Sequence, residues 1–376
     1  MKIPSSISKR LYGMDGVIIS IVIVLLAVGL IMVFSATMLR SANEYGSACY
    51  YLKRHALFLS FALSIALCFA LIPFKTLPRL SIPLILLTIV LLALVFVPGV
   101  GISHRGATRW LSFAGFCFQP SELAKFSLPL FLSSMIWSQR RKRHGSVRVF
   151  ASTLPVVLLV LFLVAAEPDY GTAGLLGMIC GSIYFVAQTK LKHIVALGAL
   201  ALPSSFCAYY VSPHFRKRVV DFVAFAIDPT NAPWHLRQAF TAMGSGGVFG
   251  MGLGKGMHKH LVLAESFNDF AFASLAEDGG FIAATTVIVL FSALVARGIM
   301  LSLALENYFA RLLGFGLSMS LGIQAFMNIS VVLGLMPTTG ISLPFISYGG
   351  SGMLANLITA GILLSVLRSR VEGGNS

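Results

Sequence analysis

The sequence predicts an all-α, polytopic integral membrane protein of about ten transmembrane helices, with one long extracytoplasmic loop between the seventh and eighth spans. Of its 376 residues, 57% are hydrophobic and only 11% are charged, and the mean hydropathy is +0.88. A soluble domain carries about 25% charged residues, so a soluble globule of this length could not cover its surface. The net charge of +15 does not indicate a nucleic-acid-binding domain, because the basic residues lie between apolar blocks.

Stretches without Asp, Glu, Lys or Arg locate the individual spans. A helix needs roughly 20 apolar residues to cross a bilayer, and eight stretches have room for one such helix each. A ninth stretch, 312–367, is interrupted by Pro337, Gly340 and Pro344, so we interpret it as two spans around an uncharged loop. The eight stretches that can each hold one span, the shortest by including apolar neighbours from Leu123 onward, are 16–39, 55–74, 80–104, 126–139, 149–166, 170–189, 193–215 and 279–296.

The basic residues orient these spans. With the N-terminus inside, the cytoplasmic segments contain 16 Lys and Arg residues, against 5 in the short outer loops, as the positive-inside rule requires. Both termini are therefore predicted to be cytoplasmic, and residues 1–376 are predicted to form a single membrane domain. The first apolar run is longer than the ~7–15-residue core of a signal peptide, so it is interpreted as an uncleaved span.

The long loop, 212–270, contains a glycine run at 244–256. A phosphate-binding loop is excluded, because Phe249 stands where that motif needs its first glycine and Gly256 where it needs Ser or Thr. The run is interpreted as a turn whose backbone lies close to another chain segment or a ligand. The five cysteines are scattered without C-x-x-C spacing, so no metal site is assigned to them.

Acidic residues near a bilayer are costly unless paired or hydrated, so each one indicates a functional position. Glu122 follows Gln119 at a predicted helix start, and Lys125 lies three residues later on the same helix face. This pair has two open interpretations, an ion pair that offsets its own burial or part of a site. Asp169 and Asp269 stand at two other span boundaries, and we expect them to gather with Glu122 at the outer rim. The remaining acids expected there are Glu167, Glu265, Glu277 and Asp278.

The uncharged loop 335–352 supports a cavity beside these acids. It is rich in Pro, Gly, Ser and Thr and ends at Ser351. Non-helical backbone at membrane depth is tolerated only where protein buries it or a water-filled cavity receives it. We therefore expect a cavity that opens outward and takes a charged amphiphile.

Motifs along nearly the whole chain resemble the SEDS family (shape, elongation, division and sporulation). Within that family, 336–341 (MPTTGI) and 33–36 (VFSA) look more like the division branch, FtsW, than the elongation branch, RodA. The chain departs from the family pattern at Ala264 and Phe267, where proline and histidine are frequent. The family motifs lie at 106–110 (GATRW), 119–125 (QPSELAK), 168–172 (PDYGT), 246–250 (GGVFG), 268–270 (NDF) and 343–351 (LPFISYGGS).

The resemblance implies a peptidoglycan glycosyltransferase of the bacterial inner membrane that polymerises lipid II during septal synthesis. Its implied partners are a class B penicillin-binding protein, other division proteins and membrane lipid, but no nucleic acid. Such a reaction needs a base for the acceptor hydroxyl and cations for the departing pyrophosphate. Asp269 is the expected base, and Arg109, Lys125 or Lys259 would meet the pyrophosphate. The other expected substrate-binding residues are Trp110, which has an open alternative as an interfacial anchor, Gln119, Glu122, Asp169 and Ser351.

Two other functions remain open at this point, a lipid II flippase and a noncatalytic scaffold that recruits the transpeptidase. A carrier would usually show repeated halves and charges near the middle of the membrane, whereas here the acids concentrate on one side. No cofactor or metal site is assigned, although a divalent cation is left as an alternative.

Overall fold

The computed structural model describes residues 14–104, 107–113, 116–143, 145–256 and 268–373, most of which are α-helical. The predicted all-α membrane fold class is confirmed. The helices in the described ranges are α1 (Gly16–Tyr45), α2 (Tyr50–Leu71), α3 (Leu77–Leu94), α4 (Pro120–Arg141), α5 (Ser146–Ala166), α6 (Tyr170–Val186), α7 (Leu191–Ala199), α8 (Ala201–Val211), α9 (Pro213–Ile227), α10 (Trp234–Gly246), α11 (Ala271–Leu303), α12 (Tyr308–Val332) and α13 (Gly350–Gly373).

In the part of the chain that the structure describes, eight helical segments are long and apolar enough to cross a membrane. Each overlaps a predicted span, and α7 and α8 together make one of them, Leu191–Val211. The other two predicted spans are helical as well, but α6 has only 17 residues and α4 carries buried charge. The total of ten spans therefore stays a prediction.

A small antiparallel sheet follows α3, inside the uncharged stretch 80–104 that is predicted to hold the third span. Helix α3 ends at Leu94, and the rest of the stretch forms turns and a strand. An uncharged stretch need not be helical, and Pro98 and Gly99 interrupt it, with Gly99 at a φ of 87°. The strands pair in the order β1 (Gly101–His104), β2 (Ala107–Phe113) and β3 (Phe116–Phe118).

Burial separates inner helices from a peripheral segment. The apolar windows of α12 and α13 are 72% and 78% buried, whereas that of Leu191–Val211 is 12% buried. Helix α4 buries every residue from Pro120 to Ser134 except Leu123. The inner helices therefore pack against protein over most of their surface, while α7 and α8 expose apolar side chains such as Val195 and Phe206.

The glycine run packs against α11, which confirms that it approaches another chain segment. A Cβ on Gly246 would lie 2.0 Å from the Ala276 carbonyl oxygen, and one on Gly250 would lie 2.1 Å from that of Asp278. The amide of Met251 donates to the Glu277 carbonyl at 3.0 Å. Only glycine allows this backbone approach, so the run serves to fix the long loop on α11.

Candidate functional site

The start of α4 places a buried ion pair among the inner helices. Pro120 is in the first turn, where its missing N–H costs nothing, and Glu122 is favoured there by the helix dipole. The Nζ atom of Lys125 lies 2.7 Å from Glu122 Oε2, with side chains that are 2% and 10% exposed. The predicted pairing of these residues is thus confirmed. Because both charges are buried, each one needs the other as its counter-ion.

Lys125 also connects α4 to α12 and the uncharged loop. Its Nζ donates to Gln324 Oε1 at 3.1 Å, and Gln324 Nε2 donates to the Ser342 carbonyl at 2.9 Å. On the other side, a Cβ on Gly352 would lie 3.5 Å from Glu122 Oε2, so the first turn of α13 approaches the pair. The buried Ser351 belongs to the same turn. Hydrogen bonds thereby join α4 to α12 and the uncharged loop, and the first turn of α13 lies against the ion pair.

Asp269 is held through its backbone by α12. The Nδ2 atom of Asn328 donates to the Asp269 carbonyl at 2.9 Å and to the Ile341 carbonyl at 2.7 Å. The hydroxyl of Ser347 donates to the carbonyl of the preceding Asn268 at 2.7 Å. A Cβ on Gly340 would lie 3.6 Å from Asp269 Oδ2, so the carboxylate faces the uncharged loop. The loop and Asp269 therefore meet at the same point.

Several buried polar oxygens around Asp269 have no hydrogen-bond partner among the described residues. They are Asn268 Oδ1, Asn328 Oδ1 and Thr339 Oγ1. Buried polar groups are almost always paired with protein or water, because an unmade hydrogen bond costs about 1–3 kcal/mol. These oxygens therefore mark a position suited to a polar ligand or bound water.

Arg109 on β2 joins the sheet to the turn between α5 and α6. Its Nε donates to the Glu167 carbonyl at 2.9 Å, its Nη2 donates to the Pro168 carbonyl, and its Nη1 lies 3.9 Å from Asp169 Oδ1. Gln119 Nε2 donates to Asp169 Oδ2 at 3.1 Å. Asp169 also caps α6, accepting from the Thr172 amide at 3.2 Å. One carboxylate thus links the starts of α4 and α6 to the sheet.

Glu167, in the same turn, is an acid buried without a partner for either carboxylate oxygen among the described residues. Its exposed fraction is 1%. Burial, the largest cause, and the nearby Asp169 charge together raise the pKa of this carboxyl to about 8, against a smaller lowering by Arg109. Glu167 is consequently protonated at neutral pH, whereas an exposed glutamate would be ionised.

A cavity of about 370 Å³ lies between the end of α3, the sheet and the α5–α6 turn, beside Arg109. Its lining includes Val95, Gly101, Thr108 and Pro168. Trp110 lies in the same strand as Thr108, half-buried and opposite Ile102 across the β1–β2 ladder. Among the described residues, no group of three or more His, Cys, Asp or Glu side chains is placed to hold a metal ion.

Comparison with known proteins decides the family. The FtsW/RodA/SpoVE family model, described as a cell cycle protein, matches residues 16–372. The chain belongs to the FtsW/RodA/SpoVE family.

Relatives and solved structures in this family match almost end to end. The chain is 34% identical over 366 residues to the probable peptidoglycan glycosyltransferase FtsW of Geobacter sp. (strain M18), covering 97% of this chain and 99% of the relative. Stage V sporulation protein E of Bacillus subtilis (strain 168) is 35% identical over 94% of this chain and 97% of its own length.

Two solved structures have the same fold. One comes from work titled "Structural coordination of polymerization and crosslinking by a peptidoglycan synthase complex", with a TM-score of 0.76, 29% identity and coverage of 95% and 98%. The rod shape determining protein RodA of Thermus thermophilus gives a TM-score of 0.69 at 29% identity, with coverage of 95% and 97%.

In this FtsW/RodA/SpoVE member, the structure brings most of the expected site residues into connected contacts. Glu122 with Lys125, and Gln119 with Arg109 and Asp169, form hydrogen-bonded groups at the starts of α4 and α6. Lys259 lies outside the described residues, as do His258, His260 and Glu265. Glu277 and Asp278 attach the glycine run and α1 to α11: Ser35 donates to Asp278 Oδ2 at 2.6 Å, and the Glu277 carboxylate lies against Gly256.

Sequence reasoning missed two amides on α12, Gln324 and Asn328. Both are almost completely buried, and they bind the Lys125 ammonium and the Asp269 backbone respectively. The available signal was their position, because a polar side chain inside an otherwise apolar stretch needs a partner across the helix interface. They lie four residues apart, hence on one face of α12.

Proposed function

We propose that this chain is a peptidoglycan glycosyltransferase that polymerises lipid II, with Asp269 as the general base. The names of its relatives support the reaction class. The observation that carries the proposal is the setting of Asp269, whose backbone is fixed by Asn328 and near which lie buried oxygens that have no hydrogen-bond partner among the described residues. Such groups would bind the hydroxyls of a sugar acceptor.

In the proposed step, the Asp269 carboxylate takes the proton of the acceptor 4-hydroxyl as its oxygen attacks the anomeric carbon of the donor sugar. A new glycosidic C–O bond forms, and the bond from that carbon to the lipid pyrophosphate breaks. The base must lie within hydrogen-bond reach of the hydroxyl, so a rigid backbone anchor contributes directly to the rate.

The departing pyrophosphate needs positive charge, and the basic side chains in the described residues differ in how exposed they are. Lys125 is 2% exposed and is already neutralised by Glu122, so we assign it to shaping the interior. The Arg109 side chain is 21% exposed, which makes it the better candidate for contact with the pyrophosphate. Arginine presents several donors in a fixed fork that matches phosphate oxygens.

The partner and location complete the proposal. We assign lipid II as substrate, a class B penicillin-binding protein as partner, and the division septum of the bacterial inner membrane as location, with both termini cytoplasmic and one membrane domain. Support for the partner comes from the similar fold in the structural work on polymerisation and crosslinking by a synthase complex. The MPTTGI motif at 336–341 supports the septal role.

The decisive experiment is polymerisation of lipid II by the purified protein together with its partner. We expect glycan strands from the wild type and at least a hundredfold slower synthesis by Asp269→Asn, since a positioned base contributes about 10²–10⁴-fold. Asp221→Asn is the matched control, an acid-to-amide change elsewhere in the long loop, and should polymerise at the wild-type rate.

Wild-type activity in Asp269→Asn would remove Asp269 as the base while leaving the reaction intact. Absence of polymer from folded wild type with its partner would favour a flippase, if lipid II crosses vesicle membranes in its presence, or a scaffold, if it does not.

A further inference from the structure

A series of tyrosine rings leads from the loop beside Asp269 to the ends of α1 and α2. Tyr45 and Tyr50 are stacked with ring centroids 3.8 Å apart and planes at 11°. Tyr51 contacts Tyr50 edge-on at 5.6 Å and Tyr348 edge-on at 6.3 Å. We call Tyr45, Tyr50, Tyr51 and Tyr348 the tyrosine series. Its rings form a continuous aromatic surface.

One end of the tyrosine series is tied to the proposed site. Tyr348 follows Ser347, whose hydroxyl binds the carbonyl of Asn268, the residue before Asp269. Beneath Tyr348 lies the ring of His55, 5.2 Å away and 2% exposed, which supports the tyrosine from the protein interior. The surface therefore begins near the proposed base and leads away from it.

The other end is open and carries polar groups. Tyr45 and Tyr50 are 50% and 38% exposed although they stack on each other. The Tyr51 hydroxyl donates to Glu44 at 2.7 Å, and Glu44 pairs with Arg40 at 2.8 Å. Exposed Lys53 and Arg54 follow in the first turn of α2.

This combination of aromatic and polar groups suits the binding of a carbohydrate better than the anchoring of the protein at the membrane surface. An anchoring tyrosine places its ring at the headgroup level of the membrane. Here, neighbouring rings contact one another and stay partly exposed, so they offer apolar surface for the C–H face of a sugar, with carboxylate, hydroxyl and cationic groups close by for its polar substituents.

We propose that the tyrosine series binds the glycan strand as it leaves the site, which rests on the proposed glycosyltransferase function. The ligand is a 1,4-linked polysaccharide of N-acetylated hexosamines, and the bound strand stays close to Asp269 between additions. Weakening this surface shortens the product, because strands dissociate sooner.

The first test measures sugar binding without catalysis. Chitohexaose, an uncharged N-acetylglucosamine oligosaccharide, is titrated calorimetrically into wild type and the Tyr45→Ala/Tyr50→Ala double variant. We expect about a tenfold loss of affinity, as removal of one aromatic contact gives. Tyr45→Phe/Tyr50→Phe keeps both rings and should stay within about threefold of wild type.

The matched control is Tyr209→Ala/Tyr210→Ala, which removes another ring pair, 5.4 Å apart, at the end of α8. It should bind chitohexaose like wild type. Equal affinity of the wild type and the Tyr45/Tyr50 alanine variant would overturn the inference, and so would equal losses in both alanine double variants, which would indicate general anchoring by aromatic side chains.

The second test compares strand length from lipid II in reactions stopped at equal substrate consumption. We expect strands several-fold shorter from Tyr45→Ala/Tyr50→Ala and unchanged length from Tyr209→Ala/Tyr210→Ala. Unchanged length in the first variant would contradict the inference. If wild type makes no polymer at all, the proposed function fails, and the chitohexaose titration decides sugar binding by itself.

Discussion

Helix α4 and the α7–α8 segment show the opposite of the burial pattern in soluble proteins, where apolar side chains are buried and charged ones are exposed. The more polar of the two, α4, is the more deeply buried, with Glu122 and Lys125 in the interior. The α7–α8 segment is strongly apolar and only 12% buried. In a membrane the lipid accepts apolar side chains, so the interior is where polar groups find partners.

This difference in burial predicts which substitutions affect the stability of the protein. Most apolar side chains on α7 and α8 are only partly covered by protein, so few protein contacts specify their shape. The two buried charges on α4, Glu122 and Lys125, are each other's partners, and removing either leaves the other buried without its counter-ion. We therefore expect large effects from α4 and α12 and small ones from α7 and α8.

The largest effect is expected for Lys125→Met. It leaves the Glu122 carboxylate buried without its cation, which should destabilise the protein by about 3–5 kcal/mol. Thermal unfolding in detergent measures this. Lys142→Met, an exposed lysine just after α4, should change stability by less than about 0.5 kcal/mol. Equal melting temperatures for the two variants would show that α4 does not depend on its ion pair.

Gln324→Leu should have the next largest effect. It removes the acceptor of Lys125 and the donor to the Ser342 carbonyl, so we expect a loss of about 1–3 kcal/mol. Leu321→Met, a volume-conserving change at a buried position on the same helix, should cost less than about 1.5 kcal/mol. The rate of lipid II polymerisation also distinguishes the two variants, because Gln324→Leu should reduce it and Leu321→Met should not.

Glu167→Gln tests the buried acid through its pH dependence. The folded pKa of about 8 exceeds the ordinary 4.5, so the unfolded state releases this proton first as the pH rises. Wild-type stability should therefore fall by up to about 1.4 kcal/mol per pH unit between about pH 5 and 8 and level off above. Glu167→Gln cannot ionise and should lack this decline. Parallel melting-temperature curves against pH would contradict the assignment.

The smallest effect is expected at the periphery. Phe206→Leu on α8 keeps an apolar side chain at a position that is 67% exposed, and should change stability by less than about 0.5 kcal/mol. Melting temperature in lipid nanodiscs is the measurement. A loss as large as that of Gln324→Leu would mean that α8 packs against a partner, and the contrast between the two regions would fail.

The sequence predicted the helices well, because the lack of charge that a bilayer requires is a property of each segment alone. It also predicted the Glu122–Lys125 pair, since both residues lie on one turn. It did not predict the sheet, because the uncharged residues 95–104 that follow α3 lack the charges that would have marked the end of the helix. It could not place Gln324 beside Lys125 or Arg109 beside Asp169, because those contacts join residues distant in sequence and depend on how the helices pack.

Asn328 has a mechanical consequence. Because its single side-chain amide holds the carbonyls of both Asp269 and Ile341, the two loops cannot shift independently without breaking a bond. A displacement of the uncharged loop would therefore also displace the backbone of Asp269, and with it the carboxylate that we propose as the base.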